Sequence, residues 1–138
     1  MNIPLYLQFA GFCHLGLIAA GITMPGVVNL KDHIRKLPAF IRRLFWVYYS
    51  FIGACLLGFG LLSFFMAEEL SSGTPLARAV CVFFCLFWAM RLGVALWVFD
   101  VRPYLTSTLL RIGYQATNAV FTLLPMIYIL AALFGGEK

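Results

Sequence analysis

The chain is predicted to be an all-α, polytopic membrane protein, a compact bundle of four transmembrane helices. Two observations carry that expectation. Of its 138 residues 63% are hydrophobic and only 11% charged, against about half and a quarter in a soluble domain. Four runs, residues 4–28, 44–67, 77–99 and 109–134, each reach the roughly 20 largely apolar residues that cross a bilayer at 1.5 Å per residue. Stretches such as LLGFGLLSFFM and CVFFCLFWAM are apolar all round, whereas a helix of a water-soluble bundle keeps one polar face. Residues 1–138 are therefore expected to form a single transmembrane domain.

The first run opens with Pro4, well placed in an initial turn, and is expected to be disturbed or ended near Pro25 and Gly26. Cleaved signal peptides begin with a basic region; here no Lys or Arg precedes Lys31, so the run is expected to remain as a permanent span. Its polar members are Gln8, Cys13, His14 and Thr23. His14 shares a face with Gly11, Ile18 and Gly21 by helical spacing, where a neighbouring helix can approach closely. A packing role with a hydrogen bond is the simplest reading of His14. Proton transfer and cofactor ligation are the chemical alternatives for an imidazole.

Residues 30–43 follow, within LKDHIRKLPAFIRRLF. Leu30, Ile34, Leu37, Ile41 and Phe45 recur at three- and four-residue steps while Lys31, Arg35, Lys36, Arg42 and Arg43 point elsewhere, the pattern of a short helix lying on the membrane surface. Pro38 should bend or break it. These five cations are expected to meet anionic headgroups, as recognition or as simple anchoring. In the second span Trp46, Tyr48 and Tyr49 fit the aromatic belt near a membrane interface. Ala54 and Gly58 make a small-xxx-small pair, as do Gly16 and Ala20 in the first span and Ala89 and Gly93 in the third; such pairs permit close backbone approach. The loop AEELSSGTPL is short and rich in turn formers.

The third span carries Arg91 near its middle, about 13 Å from its polar end at Asp100, a depth at which a cation is costly. Beyond it Pro103 forbids a continuous helix, Asp100 and Arg102 are placed for a local pair, and Thr106 or Ser107 is positioned to cap the fourth span. In that last span Arg111, Gln115, Asn118, Thr122 and Pro125 follow at steps of four, three, four and three, aligning as a polar stripe expected to face protein rather than lipid. Asn118 lies about 12 Å inside its helix, level with Arg91. Pro125 is expected to kink the helix by leaving one carbonyl without its usual donor.

The five acids, Asp32, Glu68, Glu69, Asp100 and Glu137, all fall in loops, at helix edges or in the tail. Arg91 is then expected to meet one of three environments. These are a neutral shell of Asn118, Gln115, tyrosine hydroxyls and carbonyls, an anionic or carbonyl-bearing ligand such as a lipid headgroup or a quinone, or an acid from another protein. The planar guanidinium suits all three. Arg91, Gln115, Asn118, Thr122 and His14 are the candidate ligand-binding residues.

Seven cations, Lys31, Arg35, Lys36, Arg42, Arg43, Arg102 and Arg111, fall on one side of the spans, and only Arg78 and Lys138 on the other. The positive-inside rule then makes the basic loops cytoplasmic and both termini external, in an integral protein of a bacterial inner membrane. The net charge of +5 is read as a topology signal that faces anionic lipid, and nucleic-acid binding is excluded. Cys13, Cys55, Cys81 and Cys85 form no CxxC, so zinc and redox signatures are missing and no metal is predicted. Haem ligation by two histidines would need His14 from two copies. No cofactor is predicted, with quinone and haem as the remaining options. Paired carboxylates at depth, nucleotide loops, HExxH and GxSxG are absent from the sequence. Three functions follow in order: an accessory or scaffold subunit, with a membrane-protein partner or a second copy; a binder or carrier of a lipid, quinone or amphipathic anion at Arg91, Gln115 and Asn118; and a redox or proton-handling enzyme using His14.

Overall fold

The computed structural model describes residues 2–98, 103 and 105–136. Helix α1 spans Ile3–Val27, with the Asn2 side chain accepting from the Leu5 N–H at 3.4 Å and Pro4 in the first turn. Pro25 sits inside this helix without ending it. Asn29 then takes a left-handed conformation, φ 47°, which turns the chain into the short α2, Leu30–Arg35. Pro38, with extended φ −50° and ψ 145°, caps α3, Ala39–Phe65.

The basic segment is broken at Pro38, as its sequence leads one to expect, but the piece after the proline is already part of α3, which starts at Ala39 where a span from 44 is expected. The cause is Pro38: its missing N–H breaks the helix before it, while the helix after it can start at once because first-turn N–H groups have no intrahelical partner. Arg42 and Arg43 consequently ride on the opening turns of α3.

The chain continues through Met66 into the four-residue α4, Ala67–Leu70. Helix α5, Pro75–Trp97, is capped by Thr74, whose Oγ1 accepts from the Ala77 N–H at 3.3 Å. Helix α6, Thr108–Phe134, is capped by Ser107, whose Oγ accepts from the Leu110 N–H at 3.3 Å. Each hydroxyl satisfies one orphan donor of its helix start. The expected end of the third span at residue 99 and the expected pair of Asp100 with Arg102 lie outside the described residues. Among the described residues there is no strand, and α1, α3, α5 and α6 are each long and apolar enough to cross a membrane. The chain is an all-α, four-helix membrane bundle.

The two most extensive helix contacts are α5 with α6 and α1 with α3, and α1 also packs on α6. The bundle is thus a pair of antiparallel hairpins. Helix α4 packs against α1 and α5 at the end that carries Glu68 and Glu69, burying Ala67 and Leu70. Both α1 and α6 have their terminal ends there, and the Gly136 N–H donates to the Ser71 carbonyl at 2.9 Å. Gly73, at φ 74°, must be glycine: a Cβ there would collide with the Gly135 carbonyl.

Burial is lopsided along the membrane normal. The buried residues of α1 stop at Leu17, those of α3 are Gly60 and Ser63 alone, and those of α6 begin at Phe121. On α5 they run from Ala77 to Trp88, with Ala95 the one buried position beyond. The core therefore fills the half of the bundle next to the acidic end. In that half α1 and α3 cross in backbone contact, since a Cβ on Gly11 would lie 2.8 Å from Phe64 Cβ and one on Gly60 2.9 Å from His14 Cβ. In the basic half the α1–α3 hairpin still holds together, as the Tyr49 hydroxyl donates to the Gly21 carbonyl between α3 and α1. The bonds and ring contacts described between the hairpins, His14 with Trp88 and Tyr128, Phe59 with Phe84 and Phe87, and Ser63 with Tyr128, lie at mid-depth or toward the acidic end.

Candidate functional site

The site grows from His14, on the inward face of α1 and fully buried. Its Nδ1 lies 2.7 Å from the Ala10 carbonyl. A carbonyl oxygen only accepts, so Nδ1 carries the proton and Nε2 of the neutral ring is an acceptor. The ring meets Trp88 of α5 edge to face at 5.1 Å, and Phe59 and Tyr128 at 6.4 Å each. Trp88 in turn stacks on Phe121 of α6, with centroids 5.6 Å apart and planes 26° from parallel. The Arg91 guanidinium carbon sits 4.9 Å from the Phe121 ring centroid. At that distance the ring's negative face attracts the cation, an attraction that strengthens where water is excluded. One helical turn from Phe121 toward the basic end is Asn118, half-buried.

His14 Nε2, Trp88 Nε1 and Asn118 Oδ1 are buried side-chain atoms without a hydrogen-bond partner. Two accept and one donates. His14, Trp88, Phe121 and Arg91 are in successive contact and Asn118 lies one turn from Phe121, together making a polar layer where the filled half of the bundle gives way to the unfilled half. Immediately toward the acidic end, Ser63 Oγ and the Tyr128 hydroxyl are 2.5 Å apart and satisfy each other.

Of the residues singled out from sequence, Asn118 lies one turn from Phe121, and His14 and Arg91 join this layer through Trp88 and Phe121. Gln115 and Thr122 do not: both are exposed, as is Arg111, whose Nε donates to the Leu105 carbonyl at 3.3 Å. Rotation of α6 explains this, because its inward face is the apolar set Phe121, Leu124, Ile127, Tyr128, Ala131 and Ala132, leaving only Asn118 of the polar stripe at the boundary. Thr122 needs no partner across the bundle, since its hydroxyl donates to the Asn118 carbonyl at 3.0 Å. Thr23, Ser50 and Thr117 bond back to their own helices in the same way, which lets a hydroxyl face hydrocarbon.

Trp88 and Phe121 are the members that the sequence reading passed over among many aromatics. A signal was there. Ala77, Cys81, Phe84, Trp88, Arg91 and Ala95 follow at steps of four, three, four, three and four, so tracing the helix face through Arg91 in both directions names the inward residues of α5.

Lys31, Arg35, Lys36 and Arg43 are exposed and Arg42 is half-buried. Among the described residues no group of three or more His, Cys, Asp or Glu side chains is placed to hold a metal ion, and all four thiols are free. A separate groove of about 210 Å³ opens on the flank of the α1–α3 seam, walled by Phe12, Leu15, Leu61, Phe64 and Phe65 over the floor of Gly11 and Gly60. Its lining is hydrocarbon and it does not reach the polar layer.

The chain matches no protein-family model, no curated protein and no solved structure. It is a small integral membrane protein. Its function has to be argued from the bundle itself.

Proposed function

We propose that the chain is an accessory or scaffold subunit of a membrane complex, whose basic half is completed by a helix of another membrane protein. The concentration of burial in the acidic half supports this reading. Gly53 lies at the middle of α3 and Gly113 in the basic half of α6, and a Cβ on either would meet nothing within 4 Å. Glycine weakens a helix by its backbone freedom, and membrane helices use it chiefly where another helix comes close. These glycines make no such contact inside this chain. Gln115 adds to the argument: it is exposed although it lies seven residues, about 10 Å, into its span. A carboxamide at that depth is costly in hydrocarbon and bonds readily to a neighbouring helix. With the basic loops on the cytoplasmic side, as in a bacterial inner membrane, the open half belongs to the cytoplasmic leaflet.

A second reading is favoured by one observation, the unpartnered Asn118 Oδ1 one helical turn from the Phe121 ring on which Arg91 sits. A lipid, quinone or amphipathic anion would place its head against Arg91 and Asn118 and its chain in the open half. Native mass spectrometry of protein extracted gently from its own membrane distinguishes the two. The accessory-subunit reading expects a larger membrane protein to co-purify with wild type and to be lost from Gly113→Leu, whose isolated bundle should keep its stability because the position is exposed and a Cβ there meets nothing within 4 Å. A small molecule retained by wild type and by Gly113→Leu but lost from Arg91→Leu would favour the ligand site instead. A bare bundle in all three would contradict both.

A further inference from the structure

We propose that the corner made by α2 and the first turns of α3 binds anionic phospholipid headgroups in preference to zwitterionic ones. This surface is separate from the open half of the spans, so it stands whether or not the accessory-subunit reading does. Three observations carry it.

The first is charge. Lys31, Arg35, Lys36, Arg42 and Arg43 lie within thirteen residues, against the single acid Asp32, and among the described residues no carboxylate lies within ion-pair distance of any of the five. Their charge is thus left to whatever lies outside the chain. An anionic leaflet attracts such a cluster strongly at short range.

The second is attachment. Ile34 is only 5% exposed, so α2 is docked onto the bundle by one apolar side chain, and the turns at Asn29 and Pro38 fix its two ends. Lys31, Arg35 and Lys36 flank that anchor and are all exposed. Next to them Leu37, Phe40 and Ile41 are exposed at 41%, 71% and 43%. Apolar side chains beside cations at the end of two spans match a phospholipid, which offers acyl chain and phosphate together; a soluble acidic protein would offer only the charge.

The third is the position of Arg42 and Arg43. They occupy the opening turns of α3, a 27-residue helix with no side-chain cap. A helix start carries partial positive charge, so cations are unfavourable there and an anion is favourable. A phosphate at this corner relieves both the helix end and the two guanidinium groups.

The test is lipid selectivity. The purified protein is equilibrated with vesicles of equal parts dioleoylphosphatidylglycerol and dioleoylphosphatidylcholine, and retained lipids are counted by native mass spectrometry. Wild type should retain the anionic lipid about tenfold over the zwitterionic one, a conservative figure for five cations near a surface. Lys31→Gln/Arg35→Gln/Lys36→Gln and Arg42→Gln/Arg43→Gln should each lower that ratio about threefold or more. Each variant leaves cations in place to hold the orientation. Arg78→Gln, at the opposite end, should leave the ratio unchanged. Raising salt from 0.1 to 1 M, which shortens the screening length from about 10 to about 3 Å, should shrink the preference. Equal retention of both lipids by wild type, wild-type selectivity in both multiple variants, or an acidic polypeptide held at the corner with no anionic-lipid enrichment would each overturn the proposal.

Discussion

Gly11 and Gly60 sit where α1 and α3 touch backbone to backbone, and they behave as a different kind of residue from Gly53 and Gly58 of α3. A methyl group on Gly60 would lie 2.9 Å from His14 Cβ, while one on Gly58 would meet nothing. Gly60→Ala should therefore destabilise the bundle by about 1–3 kcal/mol, the usual range for overpacking, whereas Gly58→Ala should be neutral or stabilise by up to about 1 kcal/mol through helix propensity. Reversible unfolding in mixed micelles compares the two, and equal effects would remove the distinction. Ser63 and Tyr128 should prove coupled across the hairpins. A double-mutant cycle of Ser63→Ala and Tyr128→Phe should give an interaction of about 0.6–1.7 kcal/mol, the span measured for such bonds in membranes. From sequence, His14 was legible as a residue facing a glycine seam, and Arg91 as a charge in need of company. Gly11 was legible on that same face, but its counterpart Gly60 was not: a Cβ on the flagged Gly16 or Gly58 would meet nothing within 4 Å, because small-residue spacing says that a close approach is possible without saying which face makes it.

At the scale of the helix, α3 is the most loosely held span, with only Gly60 and Ser63 buried. Its basic half is tied to α1 by the Tyr49 bond to the Gly21 carbonyl. Tyr49→Phe should speed hydrogen exchange at Val47 to Ile52 by about fivefold, the equivalent of roughly 1 kcal/mol, and leave exchange around Ser63 unchanged. An effect spread evenly over α3 would argue against this local tether. The four spans were readable from apolar length alone, since hydrocarbon thickness fixes how many residues must be apolar. The α2–α3 corner was readable only as an amphipathic stretch with a breaker in it. Whether a helix resumes after a proline depends on the N–H groups that follow, and Ala39, Phe40 and Ile41 carry no signal of that. The polar stripe of α6 was misleading for a physical reason: Thr122 satisfies itself within the helix, so the rotation of α6 was decided by Phe121, Leu124 and Tyr128.

For the whole molecule, the central feature is a bundle filled at its acidic end and unfilled at its basic end, with His14, Trp88, Arg91 and Asn118 at the boundary. The bundle class and the approximate depth of Arg91 and Asn118 followed from spacing. The lopsided filling did not, because it depends on how two hairpins lean against each other. A partner helix in the open half predicts two different behaviours at the two ends. Spin labels at Phe65 and Leu133, both exposed at the acidic end, and at Val47 and Ile112, both exposed toward the basic end, would report the separation of α3 from α6 at each level. Pulsed electron spin resonance on the two doubly labelled proteins, first purified and then in native membrane, is the most direct test. The account predicts a narrow, unchanged distance at the acidic end, and a distance at the basic end that is broad in the purified protein and narrows in native membrane. A basic-end distance equally narrow in both settings would contradict it.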